Sequence, residues 1–559
     1  MISMATLVEA AVSGALAPGH SWIGGRQVPG RGGERSAINP ATGETFARSS
    51  LLDASQAASA VVAARSAAGP WASLSFRQRG ELLLRARAEL LKRSERIARL
   101  IEQEQGKPAA EAYAVEIFPA LESLKHAAQE AEEALRDEPV ESPVLLFAQK
   151  ECRITYVPYG VVLVITPWNY PFFLSLSGIA SALAAGNTVV LKPAPATTMV
   201  GLEIGALFHE AGFPEGVVNV VAVDDTLAPG LVEDPGIAKV LFVGSVATGK
   251  RVMASAAKNL TPVLLELGGK DAAVVCRDAD LDQAARGIVW GAFVNAGQTC
   301  VSVERVYVEE AVADAFLERV VREVRQLRVG DPATGDVDIG PMTMERQRLV
   351  VEEHVADAVL KGARVLVGGT RLPGPGYFYP PTVLVDVDHT MRIMREETFG
   401  PVLPIARVPS LDEAIRLAND SDHGLTASGW TRDAATGRLL QERLSAGVVS
   451  INDCVSSLGD PAAPYGGFRR SGIGRSHGRK GLREMAQVKY VSFDRSRRAM
   501  LWWYPYDARY RRLMEMAARA LHARSWMERL RCQLALLGFE RFWRRVSTFQ
   551  LIRNVDKLF

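Results

Sequence analysis

Apolar and polar positions divide the chain into blocks of different period. Residues 53 to about 134 are rich in Ala, Leu, Arg and Glu, and GELLLRARAELLKRSERIARLIEQEQ repeats its apolar positions every three to four residues. That period predicts a layer of amphipathic helices. Residues 151–166, ECRITYVPYGVVLVIT, predict strand, turn, strand. A strict alternation follows. The helix pattern SLSGIASALAAG stops at Gly186-Asn187, a C-terminal stop signal, and gives way to the apolar run TVVLK. TTMVGLEIGALFHEAG precedes VVNVVAV, and a short helix precedes KVLFVG. Helices alternating with uninterrupted apolar strands predict a parallel, doubly wound sheet with ligands at the strands' carboxyl ends.

A second alternating set begins near residue 268 and runs through DLDQAARGIVWGAFVNAG, ERVYVE, AFLERVVREVRQL, ARVLVGG, LDEAIRLAND and GVVSIND. It predicts a second α/β domain rather than a continuation of the first. The chain shows neither an internal repeat nor a low-complexity tract.

Composition narrows the class. The 559 residues, 48% hydrophobic and 23% charged, describe an ordinary globular protein with several domain-sized units. Five cysteines, at 152, 276, 300, 454 and 532, are scattered without C-x-x-C spacing. That usage fits a reducing compartment and marks any special cysteine as chemical rather than structural. The N-terminal stretch lacks a basic region and carries Glu9, which makes it a poor signal peptide. No run of 18 apolar residues predicts a membrane span. A cytoplasmic location is expected.

The net charge of +2 conceals an asymmetry: residues 495–559 hold 15 Lys or Arg against 5 Asp or Glu, and the remainder holds 50 against 58. A mildly acidic body therefore carries a strongly basic tail.

Residues 240–250, VLFVGSVATGK, spell G-x-x-x-x-G-K, all but the last letter of a triphosphate-binding loop. The following position is Arg251, where such a loop needs Ser or Thr to ligate Mg²⁺. A strand, a glycine turn and a helix N-terminus still attract an anion. On this loop alone, a phosphate site and an ordinary βα turn stand equal.

Four further stretches punctuate the two domains: Thr166-Pro167-Trp168-Asn169-Tyr170-Pro171, Glu266-Leu267-Gly268-Gly269-Lys270, Gly297-Gln298-Thr299-Cys300 and Glu396-Glu397-Thr398-Phe399-Gly400-Pro401. Singly, each has a bland reading, such as a buried cysteine or a turn-capping asparagine. Together they fit one reaction. A thiolate attacks an aldehyde carbonyl, an amide and a backbone N–H hold the oxyanion, and a glutamate activates water against the thioester.

The stretches PWNYP, GNTVVLKPA, ELGGK, GQTC and EETFGP resemble the aldehyde dehydrogenase superfamily in order and spacing. Asn169 to Glu266 is 97 residues, Glu266 to Cys300 is 34, and Cys300 to Glu397 is 97. The resemblance runs from NPATGE at 39 to VKYVSF ending at 493, and includes PYGGFRRSGIGR at 464–475. It implies an α/β fold with a Rossmann-like cofactor domain (1–134 and 157–267) and a second α/β catalytic domain (268–481). It also implies a small oligomerisation hairpin (135–156 and 482–497), beyond which residues 498–559 form a basic amphipathic, helical C-terminal tail. By the same resemblance, Cys300 is the nucleophile, Glu266 the base for deacylation, and Asn169 the oxyanion amide alongside the Cys300 N–H. Thr166, Trp168, Lys192, Gly244, Ser245, Leu267, Glu397 and Phe399 are implied cofactor contacts. Gly249-Lys250 is then expected on the helix surface.

The cofactor implied is NAD or NADP, with no metal. Pro195 stands where NAD-preferring relatives often carry Glu, so NADP stays open although NAD is favoured. Retention of Glu266 favours hydrolysis over acyl transfer to coenzyme A. Tyr170, Phe173, Leu174, Ser177, Val301, Cys454 and Tyr465 are the implied substrate tunnel, mostly apolar. Medium or long aliphatic or aromatic aldehydes are therefore expected, with a succinate-semialdehyde type as the alternative. His477 stands alone in a basic loop.

In the tail, Leu513, Met514, Met516, Ala517, Ala520 and Leu521 make one helical stripe, while Arg512, Arg519 and Arg524 lie off it. Tryptophans 502, 503, 526 and 543 are interleaved with arginine. This reads either as a membrane-surface anchor, peripheral at the inner membrane, or as a face packing on the oligomer. A homodimer or homotetramer is expected, and no nucleic-acid role. Two other classes remain in view, a P-loop NTPase and a non-catalytic scaffold member of the family.

Overall fold

The computed structural model describes residues 19–142, 150–494, 503–504 and 506–536. The N-terminal segment, part of the expected hairpin, Trp502, Trp543 and the rest of the tail lie outside the described residues. The described residues fall into two compact units, divided after residues 134 and 486 and before residue 158.

The first unit is built on two large sheets, beside a two-stranded one of Glu34–Ile38 and Thr45–Ser50. The apolar runs Val161–Ile165, Thr188–Lys192, Val218–Val220, Lys239–Gly244 and Val263–Leu267 form the parallel centre of an eight-stranded sheet. Gly472–Ile473 closes one edge antiparallel, and Ser21–Ile23 with Arg26–Val28 closes the other. Every residue of Val161–Ile165 and Thr188–Lys192 is buried, which is why these strands read as continuous apolar runs rather than alternating ones.

The order of this sheet reverses between Val161–Ile165 and Lys239–Gly244, which are hydrogen-bonded neighbours. Chain continues outward from the first through Thr188–Lys192 and Val218–Val220, and from the second through Val263–Leu267. That reversal opens a crevice at the carboxyl ends, where doubly wound sheets bind ligands.

The second sheet has seven strands, Arg364–Val367, Thr382–Val385, Val402–Val408, Val303–Glu309, Asp271–Val275, Thr426–Trp430 and Val448–Ile451 in spatial order. All pairings are parallel except that of Arg364–Val367. It offers the site its amino ends: Cys300 precedes Val303–Glu309, and Glu397 precedes Val402–Val408. The carboxyl-end rule therefore holds for the first sheet and not for the second.

The expected helical layer is present as Ala54–Ala72, Phe76–Gln105 and Phe118–Leu135. Asp53 and Ser75 close capping boxes with Gln56 and Gln78, so each helix starts where its first N–H groups find side-chain acceptors. Gly106, at φ 89°, stops the second. A π-helical turn, Tyr113–Ile117, interrupts the path into the third. Such turns are frequent at functional sites.

In the second unit, Lys150–Pro158 pairs antiparallel with Glu138–Pro139 in a three-stranded sheet whose other edge is Ala486–Asp494. Helices Ala508–His522 and Trp526–Leu536 pack on one another. Leu513, Ala517 and Ala520 of the expected stripe are buried, whereas Leu521 stays exposed.

Candidate active site

The carboxyl ends beside the reversal carry the first side chains. After Val161–Ile165 come Thr166, Trp168 and Asn169; after Lys239–Gly244 comes Ser245, whose hydroxyl caps helix Val246–Ala257 by accepting the Thr248 N–H. Its first N–H groups thus face the crevice mouth, a favourable place for an anion. The crevice is a cleft of about 610 Å³ lined by all eight expected cofactor contacts: Thr166, Trp168, Lys192, Gly244, Ser245, Leu267, Glu397 and Phe399. That size is typical of small-molecule sites, which run to about 300–1,000 Å³. Asp225, Thr248, Arg251, Arg346 and Gln347 also line it, and none of them stood out in the sequence as a contact.

Gly249 corrects one expectation. It is buried, and a Cβ there would meet the Leu267 side chain at 2.6 Å. The second glycine of VLFVGSVATGK therefore lets the helix approach strand Val263–Leu267, and only Lys250 is surface.

Cys300 is delivered by a strained turn. Asn295 and Ala296 are left-handed, at φ 58° and 52°, and Gly297 follows at 71°. A Cβ on Gly297 would fall 2.2 Å from the Gly400 carbonyl oxygen, so this position requires glycine. Side chains hold the turn: Gln105 Nε2 donates to Asn295 Oδ1 at 2.7 Å, and Gln298 Nε2 donates to the Asn295 carbonyl at 3.0 Å. Tyr465 Oη lies 3.4 Å from Cys300 Sγ. Burial pushes the Cys300 thiol up to about 12, so the resting thiol is protonated.

Glu266 sits in strand Val263–Leu267, opposite Gly472. Its Oε1 accepts the Ser476 N–H at 3.2 Å, while its buried Oε2 has no partner among the described residues. Burial raises its carboxyl to about 8. Asn169 Nδ2 donates to the Gln298 carbonyl at 2.9 Å. An amide nitrogen carries two hydrogens, so one remains for a further acceptor.

Asn169 is held from behind. Lys107 Nζ donates to the Asn169 carbonyl at 3.1 Å and to Glu116 Oε1 at 2.6 Å. The other Glu116 oxygen accepts the N–H groups of Phe172 and Phe173 at 3.0 and 2.8 Å. On the opposite wall, Glu304 accepts from Thr398 and Phe399 N–H and pairs with Lys270 at 2.5 Å. That arrangement sets the Phe399 ring edge-on to Trp168, 5.4 Å between centroids. Lys107, Glu116 and Glu304 were not singled out in the sequence, since a lone charged residue gives no local sign of burial.

A second, inner cavity lies beside the same nucleophile. Leu174, Ser177, Leu241, Val243, Leu267, Leu458, Tyr465, His477 and Met485 line it with Glu266 and Cys300. Of the expected tunnel residues, Leu174, Ser177 and Tyr465 line this cavity, and the Phe173 ring lies against His477. Tyr170 instead bonds Thr299 Oγ1 at 2.7 Å. Cys454 Sγ donates to the Gly287 carbonyl, and Val301 is buried outside the lining. His477, expected alone in a basic loop, is buried. Glu266 and Cys300 belong to the walls of both cavities.

The model of the aldehyde dehydrogenase family matches residues 28–491. The chain is 38% identical over 473 residues to 3-sulfolactaldehyde dehydrogenase of Pseudomonas putida, covering 84% of this chain and 96% of that one. It is 39% identical over 475 residues to 4,4'-diapolycopene aldehyde oxidase of Methylomonas sp., covering 85% and 88%. Among solved structures, lactaldehyde dehydrogenase of Escherichia coli superposes with a TM-score of 0.82 at 36% identity, covering 86% of this chain and all of that one.

Proposed function

The chain belongs to the aldehyde dehydrogenase family and is an NAD(P)-dependent aldehyde dehydrogenase, and on that premise we propose that it oxidises medium or long, uncharged aldehydes to free carboxylic acids. The observation that carries this reading is the shared wall. Cys300 and Glu266 face the cofactor cleft on one side and an apolar cavity on the other.

In this reading Cys300 Sγ attacks the aldehyde carbonyl, and its proton leaves to a base in the site. The thiohemiacetal oxygen takes hydrogen bonds from Asn169 Nδ2 and the Cys300 N–H, donors that typically contribute about 10²–10³ in rate each. A nicotinamide bound in the cleft would take the hydride that the thiohemiacetal carbon gives up, which would leave the thioester on Cys300. Glu266, once ionised, takes a proton from water, and the hydroxide attacks the Cys300 thioester to release acid. Lys107 and Glu116 keep Asn169 in place through its backbone.

The cofactor cleft fits a dinucleotide: a capped helix N-terminus for pyrophosphate, Lys192 toward the adenosine end, and Glu397 with Phe399 at the other. We favour NAD. Asp225 Oδ1 stands 2.7 Å from Lys192 Nζ, and that carboxylate repels a 2′-phosphate while accepting a 2′-hydroxyl.

For the substrate, the inner cavity carries five aliphatic side chains, Met485 and no Lys or Arg. A carboxylate or sulfonate on the aldehyde would have no counter-charge there, which argues against a succinate-semialdehyde type. The relatives' names point both ways, one to a diapolycopene aldehyde and others to 3-sulfolactaldehyde and succinate semialdehyde, so the reading rests on the cavity lining. Edge strand Ala486–Asp494 exposes Val488 and Tyr490, a surface suited to pairing with a second copy in a homodimer or homotetramer. Trp503, Tyr504, Tyr506, Trp526, Met527, Leu530 and Leu534 are exposed among arginines in the tail, an arrangement suited to a membrane surface. No helix among the described residues is long and apolar enough to cross a membrane.

A panel of alkanals and carboxy-aldehydes, followed by reduced-cofactor absorbance, tests the reading. Turnover of alkanals that vanishes in Cys300→Ser supports it. Turnover confined to carboxy-aldehydes overturns the substrate class.

A further inference from the structure

Tyr465 reaches the nucleophile from a fixed frame. Its N–H donates to the Ser476 carbonyl and its carbonyl accepts the Ser476 N–H, both at 2.8 Å, in an isolated antiparallel bridge. The same Ser476 N–H also donates to Glu266 Oε1 at 3.2 Å. One bridge therefore ties the tyrosine beside the sulfur to the carboxyl proposed as base. The tyrosine is 3% exposed, and its ring packs against that of His477 with centroids 5.6 Å apart. A side chain so enclosed keeps its hydroxyl where the backbone puts it, 3.4 Å from Cys300 Sγ.

Among the described residues, that hydroxyl and that sulfur are each other's one side-chain hydrogen-bond partner. A buried hydroxyl hydrogen left without an acceptor is costly, so it points at Sγ. Burial holds the Tyr465 phenol well above its ordinary range, which makes it a donor and not a base. The sulfur needs such a donor. Burial first, then the carboxyl groups of Asp271, Glu397 and Glu266, oppose negative charge on Cys300, and the bond from Tyr465 works the other way. No lysine or arginine among the described residues is hydrogen-bonded to Sγ.

We propose that Tyr465 is a catalytic residue whose hydroxyl donates to Cys300 Sγ and stabilises the thiolate, both as it forms for attack and as it leaves the thioester. This rests on the reading of Cys300 as the nucleophile and deepens it. In the first step the S–H bond breaks, the proton passes to water, and the electron pair stays on sulfur. Tyr465 keeps its own proton throughout. The pair then forms the bond to the carbonyl carbon. Because the resting thiol is protonated, the thiolate lies on the climb to reaction, and stabilising it raises the rate.

The test is Tyr465→Phe, which keeps the ring against His477 and removes only the hydroxyl. Iodoacetamide reacts with the thiolate, and peptide mass spectrometry reads Cys300 apart from the other cysteines. A hydrogen bond to an ionised group shifts such a thiol by about one pH unit. A more basic thiolate is also a stronger nucleophile, which cancels roughly half of that change on a logarithmic scale. Alkylation of Cys300 at a fixed, mildly alkaline pH should therefore be about threefold slower in the variant. Turnover of an aldehyde should fall by about tenfold in kcat. Alkylation as fast as in the wild type would overturn the role of Tyr465, whatever happens to kcat, because the loss would not come from the thiolate. An unchanged kcat would overturn it equally, and both outcomes leave the aldehyde reading intact. Turnover that persists in Cys300→Ser would remove the nucleophile, and both readings would fall together.

Discussion

Lys107 and Glu116 meet at 2.6 Å with neither side chain exposed, and the same ammonium group donates to the Asn169 backbone. Two charges removed from water stay only where each has a full set of partners. Glu116 meets that condition by capping Phe172 and Phe173, and Lys107 by reaching Asn169 and lying 4.0 Å over the Tyr170 ring. Lys107→Met should destabilise the fold by about 3–5 kcal/mol, because the Glu116 charge is then buried unpaired. Lys107→Met with Glu116→Gln should regain much of it. Denaturant unfolding of both variants checks this, and equal losses would refute the pairing argument.

The rate should rise with pH through a limb near 8. Burial raises Glu266 to about 8, and the carboxyl serves as a base only when ionised, so the active form accumulates above that value. Glu266→Gln should remove the limb and lower turnover by about 10²–10⁴. Steady-state rates between pH 6 and 10 test it. A profile flat across that range would remove Glu266 from the proposed role.

Cofactor choice should turn on Asp225. Replacing it by Asn frees Lys192 and removes a carboxylate from the cleft, where Arg251 also lies. Preference for NADP over NAD should increase about tenfold, the scale of one solvent-exposed charge contact of about 1 kcal/mol. The ratio of kcat/KM for the two cofactors reads it directly.

Full-length protein should co-sediment with vesicles of anionic lipid, and a chain ending at residue 494 should not. The exposed aromatic and aliphatic groups of the tail, set among arginines, supply the attraction. Equal partitioning of both forms would assign the tail to the oligomer, and loss of oligomer on truncation would show it.

Much of the architecture was legible because the strands of the first sheet are buried on both faces and so spell uninterrupted apolar words. The five motifs were legible because each must place a particular atom at a particular distance along the chain. What stayed hidden was tertiary. Lys107 and Glu116 read as ordinary helix charges, since burial is decided by Asn169 and Phe172, more than 50 residues away. Gly249 looked like surface because its reason, Leu267, lies on the strand beneath its helix rather than in the helix itself. His477 was masked by its company: Arg475, Arg479 and Lys480 make the segment look solvated, yet the first two arginines turn to carbonyls and carboxylates and leave the imidazole inside.

The partition formed by Cys300 and Glu266 bears on how such a protein diversifies. A substitution at Ser177, Leu458 or His477 alters only the inner room, and one at Asp225 or Arg251 only the outer. Under the proposed assignment of the two rooms, selection can explore new aldehydes without disturbing the redox partner, and new redox partners without disturbing the aldehyde. Under that assignment the two specificities are separately heritable traits of one chain.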